Sequence, residues 1–193
     1  YIGADVGGMI VEDADVDVNG VNNVALVDDK TGTDTDGHIG YDFGGFRLET
    51  EVAYKRARID TITYPAGADF GGRNTSLSFM LNGLVDFGDD DGLQGFIGGG
   101  VGVARTKYKS FSLDDSDTGF AWQVIAGIRA PVTDNIDAVV KYRFYNHDSI
   151  KLVALSGNDV ETRFRSHSLL GGFEYNFGEP AAPPPPPPLR ASA

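Results

Sequence analysis

Apolar and polar residues alternate along most of the chain, and the alternation is clearest near its carboxyl end. From Leu169 to Phe177 every second residue is apolar or glycine, and the residues between them include Glu174 and Asn176. The segment from Phe46 to Arg58 shows the same period over a longer run. Because side chains alternate between the two faces of a β-strand, this period predicts strands with one apolar and one polar face.

The alternation predicts eight strands in all. We place them at about Ile2–Val11, Thr35–Gly44, Phe46–Arg58, Gly72–Phe87, Leu93–Lys107, Asp117–Pro131, Asn135–His147 and Glu161–Phe177. The connections between them alternate in length, and the long ones cover about residues 12–34, 59–71, 108–116 and 148–160. Long loops at one end and tight turns at the other are typical of an outer-membrane barrel. We therefore predict an all-β fold, an eight-stranded antiparallel up-and-down transmembrane β-barrel.

A soluble sandwich or a lipocalin-like barrel would show the same alternation, with its apolar face turned inward. Aromatic residues at the predicted strand ends favour the membrane form, because they would make a girdle at one membrane interface. These residues are Tyr41, Phe43, Phe46, Phe87, Tyr175 and Phe177. An even strand number places both ends of the barrel on the side of the short turns, which is periplasmic in such proteins.

Composition narrows the possible partners. The chain has 193 residues, a formal net charge of −12, 26 glycines and no cysteine. Nucleic acid is excluded as a natural partner, because phosphate binding needs a basic surface. The sequence contains no apolar stretch long enough for a transmembrane helix. Since Tyr1 already begins a strand-like alternation, we expect a mature start from which a leader has been removed.

A run of prolines marks a second region. Residues 1–178 form the predicted barrel, and residues 179–193 begin with EPAAPPPPPP. Proline fixes the backbone and removes a hydrogen-bond donor, so this segment is predicted to be a disordered or polyproline tail. From the barrel's expected orientation, the tail would be a periplasmic linker.

Several segments together resemble the OmpA family, specifically its N-terminal eight-stranded barrel. They are RLETEVAYK (47–55), SFMLNGLVDF (78–87), GFIGGGVGVA (95–104), FAWQVIAGIR (120–129) and SHSLLGGFEYNF (166–177). The resemblance implies a structural protein of the bacterial outer membrane, surrounded by lipid and lipopolysaccharide. It also implies that the proline-rich segment leads to a peptidoglycan-binding domain beyond residue 193. Phe173, Tyr175 and Phe177 resemble the signal read by the barrel-assembly machinery.

Charged residues on the inward side of the predicted strands form the first candidate site. They are Arg47, Glu49, Glu51, Lys55, Arg129, Lys141 and Arg143. An eight-stranded barrel is only wide enough for side chains to fill it, and unpaired buried charge is costly. We expect Glu49 and Glu51 to pair with Arg129, Lys141 and Arg143. The resemblance matches Glu51 to a lumen glutamate whose ion-pair switching accompanies a narrow pore, so a small passive pore is an alternative to a filled lumen.

Two weaker motifs suggest other chemistry. Asp15, Asp17 and Asn19 match the first half of a calcium loop, but the twelfth position, which should be glutamate, is Leu26. An acidic solvated loop explains the same residues, and no metal site is predicted. The sequence Ser166-His167-Ser168 offers a base and a nucleophile, but neighbouring strand residues point to opposite faces. We therefore predict no catalytic residues, no enzyme activity and no cofactor.

The expected role is a structural outer-membrane barrel that anchors the membrane and tethers it to the cell wall. An alternative is a stand-alone surface barrel that binds partners through its long loops, including other envelope proteins or host surfaces. Loop sequence alone does not name a ligand.

Overall fold

The described part of the protein is built from antiparallel β-structure. The computed structural model describes residues 1–12, 14–18, 21–29, 31–64, 67–88, 92–110, 114–153 and 159–177. They contain the strands β1 (Ile2–Val11), β2 (Ala14–Val18), β3 (Val21–Asp29), β4 (Gly32–Asp42), β5 (Phe46–Tyr64), β6 (Gly67–Phe87), β7 (Gln94–Ser110), β8 (Asp114–Thr133), β9 (Ile136–Val153) and β10 (Asp159–Tyr175). Within these ranges, no helix is long and apolar enough to cross a membrane.

Eight of the strands close into a barrel. Each of β4 to β9 pairs with the next strand in the chain, and β1 pairs with β4 on one side and β10 on the other. The closing ladder runs without a break from Ile2↔Tyr175 to Val11↔Ser166. The predicted eight-stranded up-and-down barrel is therefore confirmed. Closure leaves no edge strand with unpaired backbone groups, which is the condition for spanning a bilayer with β-structure.

The remaining strands, β2 and β3, form a hairpin that the sequence analysis treated as part of a long loop. Val160 of β10 pairs with Val18 of β2, and Leu26 of β3 pairs with Thr63 of β5. The hairpin thus takes the places of β1 and β4 in the ring and continues the wall of the barrel upward. The predicted long loop over residues 12–34 is wrong in this respect.

The other predicted loops are also largely strand. The β5–β6 ladder continues to Tyr64↔Gly67, and the β9–β10 ladder reaches Val153↔Asp159. Beyond the membrane both faces of a strand meet water, so polar residues are tolerated on both and the two-residue period weakens. That is why the sequence pattern ends before the strands do.

The two faces of the barrel wall differ sharply. The outer face is apolar and carries the predicted girdle near the short turns, where Tyr41 and Phe43 have ring centroids 4.7 Å apart and Tyr175 and Phe177 5.2 Å apart. The inner face is mixed: it holds nearly all of the buried charged residues and, beside them, an apolar cluster of Leu84, Phe96, Ile125 and Val139. The short turns at the girdle end include Gly44 and Gly88, whose φ angles of 108° and 117° favour glycine.

Candidate functional site

The candidate site is the charged lumen of the barrel. Arg47, Glu51, Lys55 and Arg143 are each 0% exposed. Because successive side chains of a strand point to opposite faces, each of these residues enters the interior at a height set by its position along the strand. The charges fall into two groups, which we call the central cluster and the periplasmic cluster.

Arg143, on β9, is the hub of the central cluster. One guanidinium nitrogen lies 3.1 Å from each carboxylate oxygen of Asp34. The other donates to Asp36 at 2.8 Å and to Glu51 at 2.9 Å. A single cation thus binds three carboxylates from β4 and β5, with the forked geometry that guanidinium groups provide.

Two lysines complete the central cluster. The Nζ of Lys141 lies 2.6 Å from Asp5 and 3.2 Å from Asp36. The Nζ of Lys55 lies 3.5 Å from Asp34 and 4.1 Å from the ring centroid of Tyr145. The ring face offers Lys55 a cation–π contact in a site from which water is largely excluded.

The periplasmic cluster is centred on Arg47 of β5. Its side chain lies 2.9 Å from Asp86, 3.2 Å from Glu174 and 3.7 Å from Glu49. The guanidinium carbon also lies 4.9 Å from the ring centroid of Phe96. Aromatic stacking and carboxylates together hold this arginine in one position.

Arg129 extends the periplasmic cluster toward the turns. It donates to Gln94 at 2.5 Å and lies 3.3 Å from Asp42, 3.9 Å from Asp86 and 3.8 Å from Glu174. The barrel interior at this end is therefore crossed by side chains from β4, β5, β6, β7, β8 and β10.

His38 connects the two clusters. Its Nδ1 lies 3.1 Å from Asp36 and 3.5 Å from Asp5, while its Nε2 lies 3.6 Å from Glu174. The lumen charges consequently form a continuous chain of contacts rather than separate pairs, and each contact restricts the rotamers of the next.

Neutral polar groups fill the space beside the central cluster. Asn82 donates to Glu51 at 3.1 Å, and Gln123 donates to Glu51 at 3.3 Å and to Asn82 at 2.8 Å. Farther toward the loops, the hydroxyl of Thr106 lies 2.8 Å from His147 and donates to Ser76 at 3.0 Å. Glu51 is thus held by an arginine and two amides.

The structure places all seven of the predicted lumen residues inside the barrel. Glu51 and Arg143 contact each other as expected, but the other expected partners are wrong. Arg129 and Lys141 contact neither Glu49 nor Glu51 in the described contacts, because other carboxylates lie nearer to them. Glu49 instead accepts a hydrogen bond from the Tyr1 hydroxyl at 2.7 Å.

Three acidic residues of the central cluster were not predicted from the sequence: Asp5, Asp34 and Asp36. Asp34 was assigned to a loop, so its alternation with Asp36 and His38 was not used. The spacing of these three residues by two was the signal that could have placed them on one inner face. His38, which links the two clusters, was likewise not predicted as a site residue.

Ligand atoms of Asp5, Asp36 and His38 lie within 4.8 Å of one another, as do those of His38, Glu49 and Glu174. Lys141 lies against the first group and Arg47 against the second. These cations already neutralise the carboxylates, so the arrangement favours ion pairing over a metal. Asp15 and Asp17 lie on β2, where the backbone is extended rather than coiled as in a calcium loop; Asn19 lies outside the described residues.

The histidine considered for catalysis points away from the lumen. Ser166 and Ser168 are buried inside the barrel, whereas His167 lies on the outer side. Its Nε2 is 2.8 Å from Glu12, and its Nδ1 is 2.7 Å from the Tyr142 hydroxyl. The neighbouring serines are therefore on the opposite face from the base. The contacts to Glu12 and Tyr142 connect β10 to the residue just after β1 and to β9.

The other predicted functional residues lie at the periplasmic end or beyond it. Phe173, Tyr175 and Phe177 are exposed on the outer side of β10 and just past its end. Their reading as an assembly signal stays a prediction. The proline-rich segment, residues 179–193, lies outside the described residues.

Comparisons with known proteins agree with this architecture. A family described as "Outer membrane protein beta-barrel domain" matches residues 1–177. "Putative adhesin RC1281" of Rickettsia conorii is 30% identical over 134 residues, which are 59% of this chain and 54% of that protein. The chain thus spans about half the length of that relative.

Two further similarities cover more of the chain. The outer membrane protein PagN of Salmonella typhimurium is 26% identical over 168 residues, covering 72% of this chain and 70% of that protein. The crystal structure of Neisserial surface protein A has a TM-score of 0.58 at 17% identity, and the match covers 91% of this chain and 97% of that one. The structural likeness concerns the fold alone.

Proposed function

Because the chain belongs to the family of outer membrane protein beta-barrel domains, we propose that it serves as a rigid structural anchor in the bacterial outer membrane. The family and the barrel place it in that membrane. The observation that supports the anchor role is the filled lumen, in which Arg143 and Arg47 each bind three carboxylates. Linked ion pairs across the interior favour a stiff wall over an open water path.

A pore is the alternative that bilayer recordings test directly. We expect the folded protein to give no discrete conductance steps in a planar bilayer, because its interior is occupied by side chains. Glu51→Ala is expected to leave this result unchanged, and the outward substitution Thr50→Ala serves as its matched control. Discrete openings that Glu51→Ala alters and Thr50→Ala does not would favour an ion-pair gate and contradict the anchor proposal.

On the periplasmic side, the proposed anchor carries a tether. The support is the proline-rich linker at residues 179–193, which follows the last barrel strand. A polyproline segment extends by about 3.1 Å per residue and resists collapse, which suits a spacer between membrane and cell wall. A peptidoglycan-binding domain beyond residue 193 would complete this role.

On the outer side, a second candidate function is adhesion. Two observations favour it: the Rickettsia conorii relative bears the name of an adhesin, and the barrel wall continues upward as the β2–β3 hairpin. A hairpin held by β5 and β10 presents a shaped surface rather than a loose loop. Adhesion and tethering use opposite ends of the barrel, so they are compatible.

Two deletions distinguish these roles in the native organism. Removing everything after Phe177 is expected to abolish co-sedimentation of the protein with purified peptidoglycan while leaving bacterial attachment to host cells unchanged. Removing Val16 to Asp28 is expected to lower attachment and leave the peptidoglycan assay unchanged. An intact mass of the native mature protein equal to the 20.6 kDa of this chain would contradict the tether proposal. Unchanged attachment after the hairpin deletion would contradict the adhesive role.

A further inference from the structure

The outer face of β5, β6 and β7 carries a cluster of cations just above its apolar part. Its members, which we call the basic belt, are Arg56, Arg58, Arg73, Arg105, Lys107 and Lys109, and all six are exposed. The belt contains six of the 16 lysines and arginines in a chain whose formal net charge is −12. Among the described side chains on the outer face of these three strands, none is acidic.

Strand pairing arranges these cations in rows across the wall. Arg58 pairs with Arg73, and Arg73 pairs with Lys109, so three cations lie side by side. Like charges directly opposite one another on neighbouring strands destabilise a sheet. On its other side Lys109 is in register with Asp114 of β8. A bound polyanion would offset the repulsion within the row.

The belt lies at the height of the outer membrane interface. Along the outer face of β5, the apolar residues begin at Phe46 and end at Tyr54, and Arg56 is next. The ten steps from Phe46 to Arg56, at about 3.3 Å each in a strand tilted by about 40° from the membrane normal, rise about 25 Å along that normal. This equals the height of the apolar band of such barrels. On β7 the change comes between Val103 and Arg105, and Arg105 is in register through Leu77 with Tyr54, the last apolar outward residue of β5.

A groove beside the belt adds donors suited to phosphate. Thr31, Gly32 and Thr33 line it together with Arg56 and Arg58, and its volume is about 460 Å³. It lies at the break between β3 and β4, where the ladder with β5 is interrupted between Asp29↔Ile59 and Thr33↔Arg56. Guanidinium groups bind phosphate oxygens through paired, charge-assisted hydrogen bonds, and threonine hydroxyls can donate further ones.

From the rows, the height and the groove, we propose that the basic belt binds the phosphate groups of the phosphorylated glycolipid in the outer leaflet. The belt faces sideways into the membrane interface, directly above the apolar surface that contacts acyl chains. A lipid with acyl chains and phosphates on one molecule fits both surfaces at once. This interaction would fix the depth and orientation of the barrel independently of any tether or adhesive partner.

Binding of bis-phosphorylated lipid A to the folded full chain, followed by native mass spectrometry in detergent micelles, tests the proposal. The double variant Arg58→Gln/Arg73→Gln is compared with Arg163→Gln/Arg165→Gln, which removes two cations from β10, across β1 and β4 from the belt. Near an anionic membrane surface each cation contributes a factor of about five in affinity, so the belt variant is expected to bind about 30-fold more weakly. The β10 variant is expected to bind as the unaltered protein does.

A folding check, a second belt variant and two control ligands complete the experiment. Heat-dependent mobility in gel electrophoresis checks that each variant is folded, and Lys107→Gln/Lys109→Gln provides a second belt variant if the first does not fold. Lipid A without phosphates should bind the unaltered protein as weakly as the intact lipid binds the belt variant. Equal binding of both lipids, or equal losses in the belt and β10 variants, would overturn the proposal. Loss of binding to a heparin fragment with lipid A binding unchanged would instead assign the belt to a soluble sulfated glycan.

Discussion

Arg143→Met is expected to destabilise the folded barrel by about 3–5 kcal/mol, the usual cost of leaving buried charges without their partner. Arg143 is fully buried and contacts Asp34, Asp36 and Glu51 at 2.8–3.1 Å. Methionine keeps much of the side-chain volume, so the loss reflects charge more than packing. Denaturant unfolding of the protein in lipid vesicles measures the change in free energy of unfolding.

Two further variants separate this effect from general damage. Arg105→Met removes an exposed arginine that hydrogen-bonds Ser116, and it is expected to change the free energy of unfolding by at most about 0.5 kcal/mol. Adding Glu51→Gln to Arg143→Met should restore part of the loss, because an amide at this position carries no charge. A loss for Arg143→Met as small as that for Arg105→Met would show that the central cluster does not stabilise the barrel.

The barrel itself was predictable because a membrane imposes a strict rule on each strand. Lipid outside and charge inside force a two-residue period, and that period located all eight barrel strands, with β1 matching residue for residue. The same rule assigned the inward side of Arg47, Glu51 and Arg143 without any knowledge of their contacts. Above the membrane the rule lapses, and the β2–β3 hairpin could not be read from the pattern.

The pairing inside the lumen was much less predictable. Which carboxylate meets which cation depends on strand register and on the heights of side chains from non-adjacent strands. Arg143 and Asp34, for example, are 109 positions apart in the sequence. Lys141 contacts Asp5 and Asp36 rather than either predicted glutamate. Alternation gives the face of each residue, but only the closed ring gives its neighbours.

The basic belt was predictable in part. Each of its cations sits at an outward position that alternation alone identifies. Their arrangement as a row, however, depends on the β5–β6–β7 register, which sets Arg58, Arg73 and Lys109 side by side. The sequence pattern predicts a strand that ends at Lys107 and a loop that contains Lys109, so these two cations were not connected with Arg58.

Gly102→Val is expected to be the most damaging change that involves no charge. Gly102 lies on β7, and a Cβ added there would overlap the Phe79 carbonyl oxygen and approach Met80 Cα and Sδ to 2.9 Å each. Met80 is itself 1% exposed, so neither the backbone nor that side chain can move away without shifting β6. Forcing extra atoms into a well-packed interior costs about 1–3 kcal/mol and sometimes more.

The matched control for this prediction is Gly8→Val on β1. A Cβ at Gly8 would have no other atom within 4 Å, and valine suits a lipid-facing strand position. We expect Gly8→Val to fold normally and Gly102→Val to lose most of its folded band in heat-dependent gel mobility, or to unfold at clearly lower denaturant concentration. Equal folding of the two variants would mean that β7 can move away from β6 at this level. The close β6–β7 approach would then not be what holds the barrel's interior contacts in place, and the stability of the lumen would rest on its ion pairs alone.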